Sequence, residues 1–375
     1  MTSDQTQTSP SPKQANAKSV KPPIVGLLSL CRPGFERECA AELERWLGEE
    51  GGDGYANFEK ISGQVVWIGT SPKWPVTRDL IFSRHVIRLL DKKPLYFEAR
   101  DRISPILTAM EGMKFSAIYL DHPDTNDGKA LSDLFERLQR PLLSAAGKLG
   151  ILDREAKMRA HLVFIDGTSA WFGMSEMGQT LRWPMGIPRL KMPADAPSRS
   201  TLKLTEAFTY FLSPEEQKEW LREGLTAVDL GACPGGWTWQ LVQHGIQVIA
   251  IDNGAMNEKL MESGLVEHFK TDGFIYRPKR AVHWLVCDMV EQPARVAELV
   301  GDWLADGAAG RAIFNLKLPM KTRLDEVLFC KELIEGIVKK SGKKLERLEF
   351  RQLYHDREEV TGYAAIAVRP EKNDE

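Results

Sequence analysis

Residues 226–252 bring together a glycine-rich turn and two carboxylates. Residues 226–230 form an apolar run that carries Asp229, and Gly231-Ala232-Cys233-Pro234-Gly235-Gly236 follows at once. Residues 237–243 then start a helical pattern, residues 247–251 read as the next strand, and Asp252 stands just past its end. Glycines let the backbone come close to a ligand. An acid about 20 residues after such a turn can accept both hydroxyls of a ribose. The turn has GxxxGG spacing, not the GxGxxG of a dinucleotide fold. A ligand with a ribose but no pyrophosphate therefore suits it, and S-adenosylmethionine is such a ligand.

These residues need a sheet to position them. Further strands are expected at 282–287 and 311–316. Strands alternating with helices at this spacing predict an α/β domain with a parallel, doubly wound, Rossmann-like sheet, which binds ligands at the carboxyl ends of its strands. The preceding half reads as α+β. It has a strand at 24–30, a helix in which Phe35, Cys39, Leu43 and Trp46 recur at helical spacing, a strand at 65–68 and a helix at 103–110. A strand at 115–120 follows, then a helix at about 129–149 that Pro141 should kink. Strands at 159–165 and 170–174 flank the hairpin dipeptide Asp166-Gly167. His122 and His161 stand alone in this half.

The domain junction is expected at 182–203, where four prolines keep the chain extended. Its Arg182, Arg189, Lys191, Arg199 and Lys203 can touch phosphates or simply be solvated. Lys270, Arg277, Lys279 and Arg280 around Tyr276 form a second basic cluster, and Lys317, Lys321 and Arg323 a third. The net charge of −2 supplies no general attraction to nucleic acid, so local patches must do so.

At 375 residues the chain is long enough for two or three domains. No apolar run approaches the roughly 18 residues of a membrane span. Residues 1–23 are polar and proline-containing, lack the apolar region of a secretory signal, and read as a disordered tail. The five cysteines are an odd number with no CxxC pair, which argues against a disulfide scaffold or zinc knuckle and fits a reducing cytoplasm.

The segment DLGACPGGWTWQL resembles motif I of the FtsJ/RrmJ family of ribose 2'-O-methyltransferases. The resemblance implies a Lys-Asp-Lys-Glu tetrad. It maps to Lys203 in SRSTLKL, Asp288 in HWLVCDM, Lys317 in AIFNLKL and Glu359 in HDREEVTGY, with Glu358 one slip away. It further implies cofactor contacts at Ser200, Cys233, Pro234, Gly235, Gly236, Asp252, Asp272 and Asp288. Over the whole chain, APSRSTLKL and LYHDREEVT resemble bacterial cytidine 2'-O-methyltransferases of 23S ribosomal RNA. That likeness implies a ferredoxin-like segment at 24–95, a THUMP RNA-binding domain at 96–190 and a methyltransferase domain at 191–375. It also implies a monomer. A ribose inside a folded ribosome would be hard to reach, so naked or early precursor RNA is the expected substrate.

The chemistry expected is in-line methyl transfer to a ribose hydroxyl. A lysine acts as base only when neutral, and at an ordinary pKa near 10.4 roughly one in 2,000 is neutral at pH 7. Lys203 beside Lys317 is expected to lower the Lys317 pKa and make it the general base. Cytosine C5 methylation would need a Pro-Cys nucleophile, whereas Cys287 precedes Asp288. Exocyclic amine methylation would need a Pro-Pro-aromatic loop where Met289-Val290-Glu291 stands. No metal-ligand spacing appears. The alternatives are a base methyltransferase and a non-catalytic RNA-binding or assembly factor.

Overall fold

The computed structural model describes residues 23–179, 181 and 183–367. The expected tail, apart from its last residue, and Arg182 of the junction lie outside the described residues.

The first half builds one sheet. Its strands are β1 (Gly26–Cys31), β2 (Asp53–Asn57), β3 (Gln64–Thr70), β4 (Ser83–Leu89), β5 (Leu95–Tyr96), β6 (Ala117–Asp121), β7 (Met158–Phe164) and β8 (Ser169–Glu176). Their order is β2-β3-β1-β4-β8-β7-β6, with β5 paired to β8. Helices α1 (Glu36–Glu49), α2 (Ile103–Ala109), α3 (Asn126–Lys129) and α4 (Ser132–Lys148) accompany it. The pairing of Arg88 with Met174 and Leu89 with Gly173 runs the sheet continuously from residues near 30 to residues near 175. The helix expected at about 129–149 is α4, which continues through Pro141 as one helix, and the short α3 precedes it. His161 is not solitary. Folding sets it beside Asp121 (Nδ1 to Oδ2, 3.0 Å) and Ser175 (Nε2 to Oγ, 2.7 Å), with the His85 ring 4.9 Å away.

The second half begins with α5 (Thr201–Phe211) and α6 (Pro214–Trp220). The strands β9 (Thr226–Leu230), β10 (Gln247–Ile251), β11 (Val266–Phe269), β12 (Val282–Cys287), β13 (Ala309–Lys317), β14 (Leu345–Arg351) and β15 (Glu359–Ile366) alternate with α7 (Gly236–Val242), α8 (Glu258–Met261), α9 (Pro293–Asp306) and α10 (Arg323–Lys340). The sheet order is β11-β10-β9-β12-β13-β15-β14. The first five strands in this order are parallel, as expected. The sheet as a whole is mixed, because β15 runs antiparallel to both β13 and β14.

Side chains alternate between the two faces of each strand. Val228, Leu230, Leu285, Cys287, Ala312, Phe314 and Leu316 face the core under α9 and α10. Ala227, Trp284, Val286, Ile313 and Tyr363 face the one under α5 and α7. The strand order reverses between β9 and β12, so their carboxyl ends open a crevice there.

Candidate active site

The α5 face of the sheet turns polar at its carboxyl edge. Counting by twos from Ile313 reaches Asn315 and then Lys317. Across the ladder Lys317 pairs with Glu359, and Asn315 with Thr361. Lys203 sits in the first turn of α5, and Asp288 follows β12.

These elements bring all four candidate tetrad residues together. Lys317 Nζ donates to Asp288 Oδ1 at 2.7 Å and to Glu359 Oε2. Lys203 Nζ pairs with Glu359 Oε1 and lies 3.6 Å from Asp288 Oδ2. The side chains of Lys203 and Asp288 are each 17% exposed, so two cations and two anions neutralise one another where water is scarce. Glu359 occupies the cluster. Its neighbour Glu358 turns outward to Arg323 at 2.7 Å.

The expected lowering of the Lys317 pKa is not what this arrangement produces. Burial lowers it, but the nearby charges and hydrogen bonds of Asp288 and Glu359 outweigh burial, and the Lys317 pKa is raised above its ordinary value. Glu359 also compensates the Lys203 charge that was expected to repel it.

The glycine turn leaves β9 and enters α7. A Cβ on Gly236 would run into Ser198 Oγ and Ser200 Oγ. One on Gly235, whose φ is +113°, would meet Leu260, and one on Gly254 would lie 2.6 Å from Cys233 Sγ. Asp252 is held by backbone amides: Cys233 N–H donates to Oδ2 at 3.0 Å and Gly254 N–H to Oδ1 at 2.7 Å. Asp272 stands past the next strand, its Oδ1 accepting the Phe274 N–H at 2.8 Å. Ser200 Oγ lies 2.6 Å from Ser198 Oγ just before α5. Burial pushes the Asp229 carboxyl up to about 7, with the charges of Asp288 and Asp252 adding and the Thr238 hydroxyl opposing. Its Oδ2 accepts from Thr238 at 2.6 Å, while Oδ1 has no hydrogen-bond partner among the described residues. A backbone cradle at a helix start beside a fixed carboxylate fits a ribose-bearing, phosphate-free ligand.

Sequence reasoning missed several residues that frame the tetrad. Glu206, one turn along α5 from Lys203, accepts the N–H groups of Tyr354 and His355 at 2.8 and 2.9 Å. From the first half of the chain, Arg32 Nη1 donates to the Asp356 carbonyl at 2.6 Å. Both hold the loop between β14 and β15. The legible signal was local, since Glu206 lies three positions after Lys203 and Asp356 three before Glu359. Arg32, far away in sequence, left no signal.

A cleft of about 920 Å³ opens over the tetrad, and its walls include Arg32, Arg199, Lys203, Lys317, Tyr354 and Glu359. The third basic cluster disperses. Lys317 enters the tetrad, while Arg323 is taken up by Glu38 at 3.3 Å, by Glu358 and by the Phe35 ring.

Comparisons with known proteins agree along the chain. A model of the RlmM ferredoxin-like domain matches residues 24–87. One described as ribosomal RNA large subunit methyltransferase M, N-terminal, matches 101–176, and one of FtsJ-like methyltransferases matches 196–335. The ribosomal RNA large subunit methyltransferase M of Methylococcus capsulatus is 46% identical over 351 residues, covering 91% of this chain and 98% of its own. The proteins of the same name from Cellvibrio japonicus and Thauera aminoaromatica are 45% and 44% identical. They cover 90% and 91% of this chain, and 98% and 96% of their own.

Proposed function

The chain belongs to the ribosomal RNA large subunit methyltransferase M family and is a ribosomal RNA 2'-O-methyltransferase, and on that premise we propose that it methylates a cytidine ribose of 23S ribosomal RNA from S-adenosylmethionine, with Lys317 as general base. The observation that carries the reading is the clasp of Lys317 by Asp288 and Glu359, with Lys203 opposite, at the floor of the cleft beside the glycine turn.

The glycine cradle fits the methyl donor, and Cys233, Pro234, Gly235 and Gly236 would hold it together with Ser200 and Asp272. Asp252 would take the ribose hydroxyls, and Asp288 reaches from the tetrad towards the same crevice. When bound, the donor supplies a methyl group on a sulfonium. The chain's own task is to place the RNA hydroxyl in line and to remove its proton. Lys317 Nζ takes that proton as the neutral amine, after giving up its own proton to solvent. Asp288 and Glu359 orient the two lysine side chains, and Lys203 offsets the negative charge that builds on the attacking oxygen.

The ferredoxin-like segment (24–95) and a THUMP-like domain (96–190) would grip the RNA, with Arg32 reaching the cleft wall. The tetrad lies low in a cleft, so a ribose must leave its folded surroundings to enter. This favours naked or early precursor RNA over a mature ribosome.

The test is transfer of labelled methyl to unmodified 23S RNA by wild type and Lys317→Ala, with the product digested to nucleosides. Label in 2'-O-methylcytidine is expected, lowered about a hundredfold or more in the variant. Label on a base would overturn the ribose reading. A variant with wild-type turnover would remove Lys317 as the base.

A further inference from the structure

Behind the tetrad lie three polar side chains that the mechanism above does not use, two on the same face of the sheet and one from the loop between β14 and β15. Asn315, Thr361 and Asp356 are each 0% exposed and must satisfy one another. Asn315 Nδ2 donates to Asp288 Oδ1 at 2.8 Å. Thr361 Oγ1 lies 2.8 Å from Asn315 Oδ1, and 3.1 and 3.0 Å from the two carboxyl oxygens of Asp356. The Leu353 N–H donates to Asp356 Oδ2 at 2.9 Å.

Donor counting gives this chain a direction. Asp288, clasped by two lysines, only accepts, so Asn315 turns its nitrogen to Asp288 and its oxygen to Thr361. A hydroxyl has one proton, and the amide oxygen claims it. Thr361 then offers Asp356 only lone pairs. An ionised Asp356 would meet them with lone pairs of its own, whereas a carboxylic acid donates into them.

We propose that Asp356, Thr361 and Asn315 are positioning residues, forming a one-way hydrogen-bond relay whose donor end is the Asp356 carboxyl and whose last N–H fixes the Asp288 carboxylate between Lys203 and Lys317. The proposal rests on the tetrad being the reacting centre. The local field agrees with the direction. Burial raises the Asp356 pKa well above the usual range, and the charges of Glu359 and Glu206 add to this against the Leu353 N–H and Lys203. Fixing Asp288 matters because Oδ1 serves Lys317 while Oδ2 faces Lys203. A turn of that carboxylate would misplace both lysines at once.

Two measurements test it on the full-length protein. The first is infrared difference spectroscopy at neutral pH between wild type and Asp356→Asn. It should show the band of a buried protonated carboxylic acid, lost in the variant. It needs neither RNA nor methyl donor, so it can fail independently of the proposed reaction. The second is kinetic. Thr361→Val keeps the shape and removes the hydroxyl. Its kcat should fall about tenfold, the value of one hydrogen bond, with KM for S-adenosylmethionine unchanged. Thr361→Ser should restore kcat. Asp356→Asn, which keeps an N–H donor, should be clearly faster than Asp356→Ala. Absence of the acid band, wild-type kcat in Thr361→Val, or equal rates for Asn and Ala at 356 would each overturn the relay. If Thr361→Val fails to fold, the band and the Asp356 pair still decide.

Discussion

Lys317 is stored as an acid and proposed as a base. Two carboxylates hold its proton more firmly than burial loosens it, so its pKa lies above the ordinary 10.5. If Lys317 accepts the ribose proton, kcat/KM should climb with pH through neutrality and show no plateau below about pH 10. A pH–rate profile of the wild type checks this, and a plateau near neutrality would assign the base elsewhere. Glu359→Gln removes one negative neighbour of Lys317 and should move the rise to lower pH. An unmoved profile in that variant would mean that Lys317 does not set it.

At the scale of elements, the turn from β9 into α7 depends on atoms that are absent. Gly236→Ala would push a methyl into the two serine hydroxyls before α5. We expect S-adenosylmethionine binding to weaken about tenfold or more in calorimetry, roughly the cost of displacing fitted neighbours. The neighbouring strand end carries a pH effect. Asp229 titrates near 3.8 in the unfolded chain and at about 7 in the fold. Between those values the folded protein keeps a proton that the unfolded chain has lost. The stability from this group is therefore fully present below pH 3.8 and is lost as pH rises through about 7. Asp229→Asn should flatten that part of the stability profile in denaturant titrations between these pH values. An unchanged slope would show that Asp229 is not buried as an acid.

At the scale of the molecule, the two sheets share one apolar cluster, in which Leu27, Phe35 and Phe82 join Val228, Phe314 and Val327. Arg351 locks this contact. Its guanidinium donates to the carbonyls of Thr77 (2.6 Å), Leu80 (2.9 Å) and Arg84 (3.0 Å) across the boundary. Arg351→Met should leave three buried carbonyls short of a donor and cost roughly 3 kcal/mol or more, seen as a lower Tm. A Tm within a degree or so of wild type would mean that the docking does not depend on these bonds. Because Arg32 reaches the loop beside Glu359, loosening this contact should also lower kcat more than it weakens cofactor binding.

Much of the second half was legible because its signals are local. Apolar runs of strand length, a glycine turn tied to its strand end and period-two alternation are properties of short segments. Chemistry of type fixed the rest of that reading, since a carboxylate at a strand end and a lysine at the next already imply which edge they share. The N-terminal sheet was less legible. Strand β4 pairs with β1 and β8, both distant in sequence, and is nearly all buried, so it shows no alternation, while the edge strand β2 is mostly exposed and carries no apolar run. The choice between Glu358 and Glu359 also waited for the fold, because only the register of β15 on β13 puts Glu359 opposite Lys317. The sign of the Lys317 shift waited as well. The sequence names the charges around a lysine, but the tertiary structure sets their distances, and Coulomb energies depend on distance. The sequence by itself determined which residues are available for chemistry and which sheet edge they occupy. Tertiary structure decided which of them touch, what state each is held in, and that Arg32, unmarked in the chain, reaches the loop beside Glu359.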